Sequence, residues 1–200
     1  MTLRKIRDAD VGSTSLAARF AGGPYLSVPE KARQRLSEWL TDLAPGEATA
    51  FEDLFARFPH AEQIFAGIAE ASPFLFDLAR SDAARSLRIL QGEPDRHLAR
   101  LIEQTRQSVW TASNEAQAMH TLRRAKAEAA LLIALCDIGG VWPVMQVTRA
   151  LTDFAVTSVQ SALHFLLQQE ATRGRIVPPS PDRPEEGSGL IVLAMGKMGA

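Results

Sequence analysis

The sequence predicts a mainly α-helical protein, a multi-helix array or bundle that ends in one strand and a glycine turn. Three observations carry that reading. Apolar residues recur at three- and four-residue spacing as far as about residue 173. Prolines and glycines cut this pattern into short lengths. The one continuous apolar run of strand quality, "LIVLAM" at 190–195, comes last, directly before "GKMGA".

The elements follow in order. In "SVPEKARQRLSEWLTDLAPG", Ser27 is placed to cap a helix with Pro29 in its first turn. Leu36, Trp39, Leu40 and Leu43 share its face, and Pro45-Gly46 stops it. "FEDLFARFP" repeats the scheme with Phe51, Leu54, Phe55 and Phe58 ahead of Pro59. Ile64, Phe65 and Ile68 line a third short helix, Ser72-Pro73 opens a fourth, and a fifth ends at Gly92. No fixed-period repeat joins them into a solenoid.

Three longer helices are expected next. One starts at Pro94 and presents Leu98, Leu101, Ile102, Thr105 and Val109; another runs from about Ser113 to Asp137 and ends at Gly139-Gly140. The third runs from near Pro143 to about Arg173, with Val147, Leu151, Phe154, Val159, Leu163, Phe165, Leu166 and Leu167 along it. At 1.5 Å per residue it is about 45 Å long. "GRIVPPSPDRPEEGSG", with four prolines and three glycines, reads as a loop or linker and not as a packed element. The expected division is a helical region 1–173, a linker 174–189, and 190–200 as the first strand and turn of a further domain. A lone strand cannot make a sheet, so its partners are expected beyond Ala200 or in another chain.

With 46% hydrophobic and 22% charged residues, the make-up is that of an ordinary globular protein. The formal net charge of -1 gives no overall pull toward nucleic acid or a membrane. Arg85, Arg88, Arg96, Arg100, Arg106, Arg123, Arg124 and Lys126 make a local basic excess, but Glu93, Asp95, Glu103 and Glu128 interrupt it. Such alternation reads as a solvated helical face. The single cysteine, Cys136, sits inside "AALLIALC" as a core residue; it allows no intramolecular disulfide and fits a reducing compartment. "MTLRKIRDAD" lacks the apolar run of a signal peptide. The apolar stretches fall short of the ~20 residues that span a bilayer, so a cytoplasmic protein is expected.

Chemistry-bearing groups are scattered. His60, His97, His120 and His164 have no metal-site spacing. Asp8/Asp10, Glu52/Asp53 and Glu185/Glu186 read as solvated charge, and no serine stands in a nucleophile elbow. No catalytic or metal-ligating residue is assigned. "AMGKMGA" is not a Walker A loop, since Lys197 is not followed by Ser or Thr. Ala194-x-Gly196-x-x-Gly199 loosely imitates a dinucleotide fingerprint, and Gly196-Lys197-Met198-Gly199 has the outline of a GXXG loop; neither has the flanking elements it needs. From spacing alone, a plain tight turn and a phosphate-facing turn both stand.

In its longer context "GLIVLAMGKMGA" resembles the start of the signature of the glutamine synthetase adenylyltransferase/adenylyl-removing family. That signature runs strand, then G-M-G-K-[LM]-G-G/A-x-E-L-N-x-S-S-D-x-D-L. "LRRAKAEAALLIALCDIGG" is similar to the family's Arg-rich helix. "VTRALTDFAVTSVQSALHFLL" is similar to the helix before its catalytic domain, with Val156 where an acidic residue is usual. The resemblance covers roughly residues 90–200.

The resemblance implies a bifunctional nucleotidyltransferase that adds AMP to a tyrosine of glutamine synthetase and removes it by phosphorolysis. This chain is similar to the N-terminal, adenylyl-removing half. Residues 190–200 would then begin an α/β nucleotidyltransferase core, with Gly196, Lys197 and Gly199 as nucleotide- or phosphate-binding residues. The carboxylates that hold Mg²⁺ in the family fall in its S-S-D-x-D segment, past Ala200. The chain alone is therefore expected to be inactive and to bind neither Mg²⁺ nor ATP or ADP, although the full-length family uses them. The implied partners are glutamine synthetase and, through the whole molecule, a PII-type regulatory protein, with no nucleic acid and no membrane. The competing reading is a non-catalytic all-helical interaction module whose terminal strand pairs with a partner's sheet edge.

Overall fold

The computed structural model of the protein describes residues 14–195. Nine α-helices occur among them: α1 Leu16–Arg19, α2 Pro29–Thr41, α3 Pro45–Arg57, α4 Pro59–Ala71, α5 Pro73–Arg80, α6 Ala83–Gln91, α7 Pro94–Trp110, α8 Glu115–Ile138 and α9 Val144–Thr172. The mainly helical expectation holds. The chain divides into two compact units. The first comprises residues up to Ala99 together with Ala127–Thr148; the second comprises Arg100–Lys126 and the residues from Arg149 onward.

Prolines set the rhythm of the first unit. Proline lacks an N–H and holds φ near the helical value, so it suits a first helical position while pushing the preceding residue out of helical conformation. Pro29, Pro45, Pro59, Pro73 and Pro94 each open a helix. Val28, Ala44, Phe58 and Ser72, one residue earlier, all lie outside the right-handed helical region, with ψ between 79° and 141°. Phe58 both ends α3 and precedes α4, and Ser72 does the same between α4 and α5, so these turns are one residue long. Pro45 and Pro59, which read as stops in the sequence, are therefore starts as well.

Helix α4 is central. Ala61, Ile64, Phe65, Ala66, Gly67, Ile68 and Ala69 are all buried, because α2, α3 and α5 pack around it. Trp39 of α2 meets Phe51 edge-on at 4.9 Å between ring centroids and stacks on Phe65 at 6.0 Å. Phe55 lies 5.6 Å from Phe51 and 5.5 Å from Phe65, closing the aromatic cluster. Leu131, Leu132, Ile133, Leu135 and Cys136 of α8 are buried in the same unit, and burial pushes the Cys136 thiol well above its ordinary value. The expectation of a core cysteine is met.

Polar groups tie the turns. Ser72 accepts from the Leu75 N–H at 3.4 Å, as its Ser-Pro context predicts, and Asp82 caps α6 by accepting from the Arg85 N–H at 2.8 Å. Ser27 does not cap α2. The residue before Pro29 is Val28, and the Ser27 and Val28 N–H groups donate instead to the Glu70 carboxylate at 2.9 and 2.6 Å. Arg85, expected on a solvated basic face, is buried: it donates to the Leu78 carbonyl and, at 3.2 Å, to the Ser81 hydroxyl. Those groups lie at the end of α5, so the cation satisfies a helix terminus.

The second unit has a small core of Val109, Ala118 and Phe165, with Ala112 and Leu122 packed against it. Asn114 starts α8 by accepting from the Gln117 N–H at 2.9 Å, while the Ser113 N–H and hydroxyl donate back to the Gln117 side-chain Oε1 at 2.9 and 2.7 Å. Residues 190–195 carry no regular secondary structure and are exposed.

One close approach gives a sharp test of this packing. A Cβ added at Gly139 would lie 2.2 Å from Cδ1 of Phe20, within the first unit. Gly139→Ala is expected to cost about 1–3 kcal/mol by overpacking. Gly46, where nothing lies within 4 Å, is the control, and Gly46→Ala should be neutral or stabilising by up to ~1 kcal/mol. Urea titration of the two variants checks the contrast.

Candidate functional site

The residues singled out in the sequence, Gly196, Lys197 and Gly199, lie outside the described residues. What the structure does describe is the path leading to them. Helix α9 ends at a glycine: Gly174 has φ +69°, and the neighbouring Arg175 N–H donates back to the Glu170 carbonyl at 3.0 Å. The Glu170 carboxylate holds Arg173 at 2.7 Å and Arg175 at 3.0 Å. The hydrogen bond from Arg173, followed by that from Arg175, keeps its carboxyl below the ordinary carboxylate range. The pair is exposed, so its effect on stability is small.

The loop that follows is anchored. His164 is buried in α9, its ring stacked on Trp110 at 4.1 Å between centroids and 17° between planes. Its Nδ1 faces Glu185 Oε2 at 2.9 Å and its Nε2 faces Gln168 Oε1 at 3.1 Å. Pro184 beside Glu185 is buried. The Ser188 hydroxyl donates to the Glu185 carbonyl at 2.9 Å, and the Leu190 N–H donates to that hydroxyl at 3.2 Å. One expectation is corrected here: Glu185 is not simply solvated charge, because a buried imidazole 21 residues earlier holds it. Residues 174–189 form no helix or strand, and Pro184 and Glu185 tie down the second half of that loop.

The first unit contains a second histidine–carboxylate pair. His97 is buried, and its Nε2 lies 2.6 Å from Glu128 Oε1. The hydrogen bond from His97 holds the Glu128 carboxyl below its ordinary range; burial opposes this, and the charges of His97, Arg88 and Arg85 assist it. Glu93 accepts from the Arg96 N–H at 2.8 Å at the start of α7 and pairs with Arg19 at 3.0 Å. His60, His120, Glu52 and Asp53 are exposed. Asp8 and Asp10 lie outside the described residues.

Among the described residues no group of three or more His, Cys, Asp and Glu is close enough to hold a metal ion. No helix among them is long and apolar enough to cross a membrane. Among the described residues, fold and polar groups together define a mainly helical protein in which His97 with Glu128 and His164 with Glu185 tie elements to one another.

The comparisons make that class particular. The chain belongs to the glutamate-ammonia ligase adenylyltransferase family, whose model matches residues 62–200. It is 62% identical over 96% of its length to a bifunctional glutamine synthetase adenylyltransferase/adenylyl-removing enzyme of Rhodopseudomonas palustris. Proteins of the same name from Bradyrhizobium diazoefficiens and Xanthobacter autotrophicus are 56% and 44% identical over 96% and 93% of this chain. The match covers 19% of each of these three relatives, so the chain spans about a fifth of their length. No solved structure matches the chain.

The His97–Glu128 pair generates a pH prediction. Because the folded-state value of Glu128 is lowered from 4.5, its contribution to stability is present above pH 4.5 and lost as the pH falls through the folded value. Glu128→Ala should cost about 1.5–3 kcal/mol near neutral pH, as expected for a charge-assisted hydrogen bond. The gap from the unsubstituted chain should close in strongly acid solution. Urea titrations across that range measure it.

Proposed function

We propose that this chain is the N-terminal, adenylyl-removing portion of a longer nucleotidyltransferase that regulates glutamine synthetase. In the longer protein AMP is added to a tyrosine of the synthetase and removed by phosphorolysis, releasing ADP. The single observation that carries the reading is the family match at 62–200, extended over 96% of the chain by relatives bearing that enzyme's name. The order of the motifs supports it: the Arg-rich helix, the long helix, the strand-like run and then Met195-Gly196-Lys197 follow the family's own sequence.

In this reading 190–195 become the first strand of an α/β nucleotidyltransferase core. Gly196 and Gly199 let backbone N–H groups approach phosphate oxygens, and Lys197 supplies positive charge there. The task of the described helices is mechanical. Pro184, Glu185 and His164 fix the point at which the chain leaves the helices, and with it the direction from which the glycine turn meets its nucleotide. Preorganised donors act only when they are held in place, so such anchoring belongs to the chemistry. ATP, for addition, and phosphate, for removal, are substrates of the longer protein, ADP is the product of removal, and glutamine synthetase and a PII-type regulator are its partners in the cytoplasm.

Two assays test this. The 200-residue chain should release no ADP from adenylylated glutamine synthetase when given phosphate and Mg²⁺, whereas the longer polypeptide should do so. Lys197→Ala in the longer polypeptide should lower kcat/KM by about 10²-fold with its circular dichroism unchanged. Phosphorolysis by the short chain at the rate of the long one, or a Lys197→Ala protein with full activity, would contradict the assignment.

A further inference from the structure

The part of α9 that lies in the second unit distributes its polarity in reverse. Its buried positions are Ala150, Phe154, Thr157, Ser161, His164 and Phe165, so half of them are polar. The opposite side is apolar and open. Leu151 is 51% exposed, Val156 40%, Val159 44% and Leu166 48%. At 100° per residue Leu151, Ala155, Val159, Ala162 and Leu166 fall on one stripe, with Val156 and Leu163 on its shoulder. No Asp, Glu, Lys or Arg occurs between Asp153 and Glu170, a length of about 24 Å. A helix face that met water in the working protein would carry charge over such a length.

We propose that this stripe is an internal interface, covered in the longer polypeptide by an apolar face of a further domain of the same chain. The relatives supply the first argument. About four fifths of their length is unmatched by this chain, while the family match runs through the whole of α9. Size supplies the second. The open stripe amounts to roughly a few hundred Å², well below the ~800 Å² per partner of a stable association between free molecules. A tethered domain needs far less, because the linkage presents it at an effective concentration in the millimolar range. The occupant is thus an attached domain and not a freely diffusing partner. The inference rests on this chain being part of a longer polypeptide and is independent of which reaction that polypeptide performs.

Cysteine labelling tests it directly. Val159→Cys introduces an accessible thiol, and Cys136, buried with its thiol pushed up, stays silent as an internal control. Asp153→Cys, on the exposed polar side of the same helix, is the comparison. In the 200-residue chain a maleimide should modify both introduced thiols at similar rates. In the longer polypeptide Val159→Cys should react at least about tenfold more slowly while Asp153→Cys is unchanged. Leu166→Cys provides a second reading of the stripe. Equal rates for Val159→Cys in both lengths would overturn the proposal, as would equal protection of Asp153→Cys. Protection that appears in the short chain and rises with its concentration would assign the stripe to a second copy, and the proposal would fail. Because no activity is read, loss of the adenylyl-removing assignment would leave the labelling ratio unmoved.

Discussion

Five of the nine described helices start on a proline, and the first unit is arranged around that constraint. Proline ends one helix by forcing its predecessor out of helical conformation and begins the next with φ already set. At Phe58 and Ser72 both events occur at a single residue, so the chain turns without a linker. Helices this short are marginal alone and must be held by packing. One-residue turns bring α3 and α5 onto α4, and α2 packs there too, so that Trp39, Phe51, Phe55 and Phe65 close on one another. The backbone constraint thus leads to the core, and the core stabilises helices that propensity alone would not.

Polar groups do a second job at the edges of that packing. Arg85 satisfies the end of α5, Glu70 receives the two N–H groups ahead of α2, and Glu128 is held by His97. In the second unit His164 holds Glu185. Each is a contact between a helix and a turn or another helix. This explains why His97, His164, Glu128 and Glu185, which look available in the sequence, are committed to structure.

Much of the fold was legible because its signals are local. The spacing of Leu36 with Trp39 and of Phe51 with Phe55 marks helical faces, and all four residues are buried. Ser72-Pro73 marks a start, and Gly139-Gly140 follows the last residue of α8. Pairings at a distance were not legible. Nothing near Glu185 in the sequence announces His164, and Arg85 looks like any member of an alternating charge run until the α5–α6 turn folds back on it. The long helix α9 misled for another reason: apolar residues occur all round it, so periodicity could not say that Phe154 and Phe165 face inward while Leu151, Val159 and Leu166 face out. Of the candidate site, Gly196, Lys197 and Gly199 were legible only through a motif, and they fall outside the described residues.

The packed helices carry their own stability, and 190–195, exposed and without regular secondary structure, contribute none of it. Amide hydrogen exchange on the 200-residue chain tests this most directly. The deepest protection is expected in α4 and in the buried part of α8 around 131–136, with 190–195 exchanging at the rate of an unstructured peptide. Strong protection of 190–195 in the isolated chain, or free exchange through α4, would contradict it.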